Sequence, residues 1–368
     1  MKKFDNIIIT SGLRWDFIKQ RIHHLTSAYS KRYNVIYIEP ARDLVFMFRY
    51  MLQNRTLFKF VHKEDNIILI SPIIPLKVRK YPKLQQWLEK IFVVNLVKCK
   101  LKLVLNSQNN LLITCDPSHT KFLDVIPHTY SIYDCADDLM ELSHHRFPQL
   151  EEQEKYHMKV VNLVTTTAQA LYDRCVKANN HTIIVNNGCY PENFTQEYAE
   201  ISPESITIGF VGAIEHWLDI ELVKYILDNM PQVKFTFIGP INCDVSCISD
   251  SDRVFFLGRK PYEELRALTK SFDMCIIPFK VNTLTSNVNP VKLYEYLATG
   301  KPVLSTNLPE VLKYRNIVYC ADSPAEMVHY IERAVLEHNQ QQYEQRIVAA
   351  KANSWWHRAK QILDEAER

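Results

Sequence analysis

The chain has 368 residues, 47% of them hydrophobic and 23% charged, a composition that fits two ordinary globular domains and excludes a largely disordered protein. No apolar run approaches the roughly 20 residues that cross a bilayer, and the first residues predict a β-strand rather than a signal peptide, so a cytoplasmic location is expected. The net charge is +3, but residues 1–125 hold 21 Lys and Arg against 9 Asp and Glu while the rest hold 23 against 32, which indicates that the first half faces something anionic.

The first half of the chain alternates between short β-rich runs and helical patterns. Strands are predicted at residues 6–10, 35–39, 67–71, 111–115, 130–133 and 163–166, and helices at 15–32, 82–102 and 147–160. Turn-forming residues and a polar segment follow. The sequence therefore predicts an N-terminal domain over residues 1–187 and a linker over 188–205.

The second half alternates in the same way, with strands predicted at 206–211, 233–238, 254–257, 274–279 and 303–306 and helices at 219–230, 262–271, 290–299 and 325–338. This alternation predicts a doubly wound parallel α/β sheet in a C-terminal domain, 206–345, followed by a helix over 346–368. Two Rossmann-like domains that face each other across a cleft form the GT-B architecture, in which ligands bind beyond the carboxyl ends of strands.

The helix predicted at 290–299 has the most sharply defined ends. Asn289 is its expected N-cap, Pro290 its first residue and Gly300 its end, because these residue types favour those positions. The helix follows a buried strand and a polar loop, and a helix N-terminus at the end of a parallel strand binds anions. The sequence therefore predicts a diphosphate site at this point.

Two charged residues of this helix fit such a site. Lys292 lies in the first turn, where a cation is unfavourable unless an anion faces it. Glu295 shares a helix face with Lys292 and is placed to accept hydrogen bonds from a ribose diol. The alternative is an exposed Lys–Glu pair on a solvated face, and the spacing fits both interpretations equally.

The stretch NPVKLYEYLATGKPVLST resembles the donor-site helix of retaining GT-B glycosyltransferases of family four, in a branch found in capsule and cell-wall polysaccharide synthesis. That family carries two glutamates with seven residues between them. Glu295 matches the second, which holds the ribose in the family, and Asn287 stands at the position of the first. The resemblance implies that Asn287 and Asn289 lie in the donor site, that the backbone at Gly212 approaches the diphosphate and that the final helix returns toward the N-terminal domain. It also implies that Arg259 contacts the base.

The resemblance further implies a hexosyltransferase of surface polysaccharide biosynthesis. It would move a sugar from a nucleotide-diphosphate sugar to a glycan or lipid-linked acceptor and retain the anomeric configuration. The C-terminal domain would bind the donor and the N-terminal domain the acceptor, with Asp137, Asp138 and His24 as candidate catalytic residues. Helix capping explains either aspartate at least as well. A histidine in a chain with 13 of them is more often a structural residue.

No cofactor and no metal are expected beside the donor. Asp250 and Asp252 form a D-x-D pair, but they precede a predicted strand rather than follow one and fit a solvated turn. The nine cysteines lack the paired spacing of a zinc site. Two other functions stay open: a GT-B sugar-nucleotide epimerase, which needs no acceptor, and a non-catalytic nucleotide- or polysaccharide-binding subunit, which Asn287 at a glutamate position slightly favours.

Residues 42–102 hold 13 Lys and Arg but only 4 Asp and Glu, interleaved with apolar and aromatic residues. This region is either amphipathic with a solvated basic face, or it rests on an anionic membrane, at whose inner face a lipid-linked acceptor would lie. Arg79, Lys80 and Lys83 are the residues expected to contact the membrane. Nucleic acid is not an expected partner, because no nucleic-acid-binding motif is present.

Overall fold

The computed structural model describes residues 3–17, 19–54, 61–76, 82–105, 107–142 and 148–368. The chain divides into two units. We name them the N-terminal unit, which comprises Met1–Val185 and Ala359–Arg368, and the C-terminal unit, Asn186–Arg358. Each unit is built on a large sheet of its own.

The described part of the N-terminal unit contains ten strands: β1 Asn6–Thr10, β2 Asn34–Ile38, β3 Arg42–Asp43, β4 Val61–Glu64, β5 Ile67–Ile70, β6 Ile73–Ile74, β7 Asn110–Thr114, β8 Tyr130–Cys135, β9 Leu163–Thr166 and β10 Thr182–Ile184. Eight of them form one sheet in the order β10-β9-β8-β7-β1-β2-β5-β4. Its pairs are parallel except for β4 with β5. β3 and β6 form a separate parallel pair.

The six strands predicted for this half are confirmed to within one or two residues at each end. They are buried apolar runs, as expected for parallel strands that are covered on both faces. The sequence pattern does not predict β4, because this edge strand is mostly exposed after its partly buried Val61. Asp65 makes the turn from β4 to β5 with φ +49°, a left-handed conformation that Asp tolerates better than most residues.

Up to residue 185, the described helices of the N-terminal unit are α1 Arg21–Ser30, α2 Leu44–Asn54, α3 Pro82–Leu88, α4 Asn95–Val104, α5 Thr120–Leu123, α6 Leu139–Leu142, α7 Pro148–Val160 and α8 Gln169–Cys175. A six-residue π-helical segment, Glu89–Val94, joins α3 to α4. The helix predicted at 82–102 therefore changes its hydrogen-bonding pattern in the middle. Helix α2 has no counterpart among the predicted helices.

The helix predicted at 15–32 begins only at Arg21. Trp15 is held outside the helix, because its backbone N–H donates to Glu39 Oε1 at 2.8 Å and its indole N–H donates to Glu64 Oε2 at 2.9 Å. These carboxylates are 24 and 49 residues away in the sequence. Long-range contacts thus override the local helical pattern.

The C-terminal unit contains a six-stranded sheet of β11 Ile206–Val211, β12 Val233–Ile238, β13 Val254–Phe256, β14 Met274–Ile277, β15 Val303–Thr306 and β16 Tyr319–Ala321. The strands are parallel in the order β13-β12-β11-β14-β15-β16. The order reverses between β11 and β14. Such a reversal is the switch point of a doubly wound sheet, where a crevice opens at the carboxyl ends of the strands.

The remaining helices are α9 Ile220–Asn229, α10 Ser246–Ser249, α11 Leu265–Thr269, α12 Thr283–Ser286, α13 Val291–Thr299, α14 Pro309–Leu312, α15 Pro324–Glu337, α16 Gln340–Ala352 and α17 Trp355–Ala366. The single helix predicted at 346–368 is wrong, since α16 ends before α17 begins. The chain between them pairs with Cys189, whose carbonyl accepts from the Trp355 N–H at 2.9 Å. Ser354 Oγ then accepts from the His357 N–H at 3.3 Å and caps α17.

Candidate functional site

Gly212 follows β11 directly at the switch point. Its φ is +142°, a backbone conformation that residues other than glycine rarely adopt. Lys292 of α13 occupies the space beside it, since a Cβ on Gly212 would lie 2.3 Å from Lys292 Cε and 2.6 Å from Nζ. The close approach therefore depends on glycine, and it places the ammonium group at the carboxyl end of β11.

The Lys292 ammonium also lies near two aromatic rings, with its Nζ 5.5 Å from the centre of Phe210 and 5.8 Å from that of Phe279. Both distances are within the range of cation–π attraction. Burial lowers the pKa of Lys292, and the charge of Glu295 opposes this shift. An anion bound beside the ammonium group would oppose it as well.

Glu295 lies one turn further along α13 and is only 8% exposed. The alternative of an exposed Lys292–Glu295 pair on a solvated face is therefore wrong. The Tyr262 hydroxyl donates to Glu295 Oε1 at 3.4 Å. Burial raises the pKa of Glu295 to about 7, while the positive charge of Lys292 and the bond from Tyr262 act in the opposite direction.

Asn289 does not cap α13, so that prediction is wrong; Pro290 is the N-cap residue, and no described side chain caps the helix. Asn289 turns inward, where it is 2% exposed. Its Oδ1 accepts from the Asn187 N–H at 2.8 Å, and its Nδ2 donates to Tyr294 Oη at 3.0 Å and to Glu310 Oε2 at 3.3 Å. Asn289 thus anchors the loop before α13, and the first N–H groups of the helix keep their capacity to bind an anion.

The other two residues expected in the donor site lie in neighbouring loops. Asn287 is the C-cap of α12, and its N–H donates to Leu284 O at 3.2 Å. Arg259 is exposed in the loop that follows β13. Three residues later the same loop brings Tyr262 to Glu295. Tyr262 was not singled out from the sequence, although its position between a strand end and a helix is a signal for a ligand-binding loop.

The three candidate catalytic residues lie in the N-terminal unit. Asp138 Oδ1 accepts from the N–H groups of Met140 and Glu141 at 3.1 and 3.3 Å, so it caps α6. His24 is buried in α1, and burial together with the nearby His23 and Lys19 lowers its pKa to about 3. Structural roles are therefore favoured for both residues, whereas Asp137 is exposed in the loop after β8.

A second polar cluster lies at the carboxyl ends of β1 and β7, and no sequence motif marks it. A Cβ on Gly12 would lie 3.2 Å from Asp116 Oδ2. His119 is buried, and among the described residues its Nδ1 has no hydrogen-bond partner. His157 lies 2.7 and 2.6 Å from the hydroxyls of Thr114 and Thr120. The run of polar residues directly after the buried strand β7 was the available signal.

The described residues contain no group of three or more His, Cys, Asp or Glu arranged to hold a metal. Asp250 of the D-x-D pair is the C-cap of α10. None of the described helices is both long enough and apolar enough to cross a bilayer.

Two doubly wound, mainly parallel sheets in one chain are the architecture of the GT-B class. Solved structures support this fold. Sucrose-phosphate synthase from Thermosynechococcus elongatus aligns with a TM-score of 0.71 over 97% of each chain at 14% identity. HepE of Anabaena, solved in complex with UDP and glucose, aligns with a TM-score of 0.68 over 98% of each chain at 13% identity.

Sequence comparison points to the same class. Residues 205–337 match the family model described as Glycosyl transferases group 1. TuaH of Bacillus subtilis (strain 168), a protein named for glycosyl transfer in teichuronic acid biosynthesis, is 31% identical over 161 residues. These residues are 41% of this chain and 41% of that protein, so the likeness extends over less than half of either chain.

Proposed function

We propose that this protein is a glycosyltransferase that transfers a sugar from a nucleotide-diphosphate sugar to a glycan or lipid-linked acceptor in surface polysaccharide biosynthesis. The observation that carries the proposal is the placement of Lys292 against Gly212 at the switch point, with Glu295 buried one turn along α13. Together they offer a cation for a diphosphate and a carboxylate for a ribose. The family match over residues 205–337 supports the same assignment.

Transfer requires that the bond between the sugar and the diphosphate breaks, and negative charge then develops on the leaving phosphate. The N–H groups at the start of α13 and the Lys292 ammonium would stabilise this charge. Asn289 anchors the loop that leads into α13, and the lack of a side chain at Gly212 leaves room for the Lys292 ammonium group. We therefore propose that transfer proceeds without a metal ion and, following the resemblance to family four, with retention of configuration.

The other parts of the donor and the acceptor complete the proposal. Glu295 would accept from the ribose diol, with Tyr262 holding its carboxylate, and Arg259 would contact the base. The acceptor would bind in the N-terminal unit. The cytoplasm, with peripheral contact at the inner face of the membrane, is the proposed location, and no nucleic-acid partner is proposed.

Binding of nucleoside diphosphates tests this assignment. Isothermal titration should find at least one nucleoside diphosphate that binds the wild type. Glu295→Gln should weaken the binding of this nucleoside diphosphate by about tenfold or more, because a lost hydrogen bond to a charged group costs about 1.5–3 kcal/mol. Lys292→Met should weaken binding of the nucleoside diphosphate but leave the affinity for the bare nucleoside nearly unchanged.

Matched controls are Glu332→Gln on α15 and Lys351→Met on α16, which change the same charges on exposed helix surfaces. Both controls should bind as the wild type does. Failure of every nucleoside diphosphate to bind, or equal affinity of the wild type and both site variants, would overturn the assignment. Turnover of the bound donor with glycan and lipid-linked acceptors, followed by nuclear magnetic resonance of the product anomer, then tests transfer and retention.

A further inference from the structure

Helix α2 exposes a row of apolar side chains. Val45, Phe48 and Leu52 recur at a spacing of three and four residues, which places them on one helix face. Phe48 is 56% exposed and Leu52 is 79% exposed. Arg49, also exposed, lies next to this row. An apolar helix face in a globular protein is normally covered.

The helical stretch from α3 through the π-helical segment shows the same feature. Val93 and Val94 face the core of the N-terminal unit together with Val97 and Leu101 of α4. Outside this buried face, Leu84, Trp87, Ile91 and Phe92 are exposed, Trp87 to 56%. The stretch is therefore apolar on its outer surface as well as on its inner one.

The exposed faces of α2 and of the α3–π-helical stretch both lie next to the two-stranded β3–β6 pair. Strand β3 leads directly into α2 and pairs with β6 through Arg42 with Ile73 and Asp43 with Ile74. Ile74 belongs to the same buried cluster as Val93 and Val94 of the π-helical segment. We name the exposed apolar side chains of these elements the apolar face: Leu44, Val45, Phe48, Leu52, Leu76, Leu84, Trp87, Ile91 and Phe92.

The charges around this face are mainly positive. Exposed basic side chains between residues 42 and 102 are Arg49, Lys63, Lys90, Lys98 and Lys102, and among the described residues none of these forms an ion pair. Most acidic groups of the region are engaged locally. Asp43 accepts from the Phe46 N–H at 2.7 Å, Glu64 accepts from Trp15, and Glu89 pairs with Lys121.

We propose that the apolar face docks on an anionic membrane. Aliphatic side chains and a Trp that insert at the level of the headgroups, with Lys and Arg around them, are the composition of interfacial helices. A protein partner would bury the same apolar groups but would not need the surrounding excess of positive charge. The inference rests on the proposed function and adds the membrane as a partner, because a lipid-linked acceptor would lie in that membrane. Arg79, Lys80 and Lys83, expected from the sequence to take part, lie outside the described side chains.

Co-sedimentation with vesicles tests the proposal and needs no transferase activity. The full-length protein should bind vesicles of phosphatidylcholine mixed with phosphatidylglycerol, and binding should fall as sodium chloride is added because salt screens the attraction. Phe48→Ser combined with Trp87→Ser, and separately Lys90→Gln combined with Lys98→Gln, should each weaken binding about tenfold or more. All four side chains are exposed, so these variants should keep the fold.

The matched controls change the same residue types elsewhere. Leu336→Ser with Val348→Ser removes side chains that are 85% and 65% exposed in the C-terminal unit, and Lys270→Gln with Lys351→Gln removes two exposed charges there. The controls should bind vesicles as the wild type does, and all variants should retain wild-type nucleotide affinity. No binding to anionic vesicles at low salt would overturn the inference. So would self-association that Phe48→Ser abolishes, which would make the face a contact between two copies.

Discussion

At the scale of single residues, the burial of Glu295 in the C-terminal unit changes the pH at which its carboxyl group ionises. Its pKa of about 7 means that the carboxyl group is about half ionised at neutral pH. The pKa lies above the ordinary value of 4.5, so the group stabilises the free protein at low pH. This contribution is lost as the pH rises through about 7. The ionised form, which burial penalises, is the form that accepts two hydrogen bonds from a ribose diol.

We predict that nucleoside diphosphate affinity of the wild type rises between about pH 6 and pH 8 as Glu295 ionises. The hydrogen bond from Tyr262 lowers the pKa of Glu295, so Tyr262→Phe should move the midpoint of the rise to higher pH. Titration calorimetry across this range measures both effects. The Glu295→Gln profile serves as the baseline, because the ligand phosphate itself titrates near pH 6. An equal rise in Glu295→Gln would contradict the prediction.

At the scale of elements, the ends of α13 are set by neighbouring residues, whereas most of the hydrogen bonds around it come from residues that are distant in the sequence. The helix predicted at 290–299 is found at Val291–Thr299, because Pro290 and Gly300 are local signals. Two partners of Asn289, Asn187 and Glu310, are 102 and 21 residues away, and Tyr262 is 33 residues from Glu295. The sequence therefore predicts the helix and its charged residues, but it does not predict the network that holds them.

The end of α13 offers a test of packing. Gly300 has φ +77°, and a Cβ there would lie 2.1 Å from the ring of Tyr343 in α16. Gly300→Ala should therefore destabilise the protein by about 2–5 kcal/mol, which adds overpacking to the cost of a left-handed alanine. Gly258→Ala is the matched control, since Gly258 has φ +64° but no neighbouring atom within 4 Å. It should cost only about 1–2 kcal/mol. Urea unfolding measures both, and equal losses would contradict the prediction.

At the scale of the whole molecule, the alternation of strands and helices predicts both sheets because buried parallel strands require continuous apolar runs. Of the C-terminal strands, β11, β12 and β15 have the bounds that the sequence predicts. Strands β4 and β16 are too short or too exposed to carry this pattern. The sequence also does not predict the polar cluster around Asp116 and His119, since this cluster forms only where the ends of β1 and β7 lie side by side.

Metal dependence is a property of the whole reaction. We predict that transfer continues at an unchanged rate in EDTA, because Lys292 and the N-terminus of α13 supply the positive charge that the leaving diphosphate needs. The measurement is the initial rate with and without the chelator on the same donor and acceptor. Loss of activity in EDTA with recovery on added manganese or magnesium would show that these groups do not suffice.

Both edges of the N-terminal sheet are closed to foreign strands. On one edge, β4 exposes His62, Lys63 and Glu64. On the other, β10 is three residues long, and the Gln361 amide of α17 donates to the Ile184 carbonyl at 3.0 Å. Charged edge strands and covering helices prevent strand pairing between molecules. The ten residues Ala359–Arg368 thus cover the β10 edge of the sheet. We expect a chain cut before Ala359 to leave β10 uncovered and to aggregate edge to edge, even if its C-terminal sheet is intact.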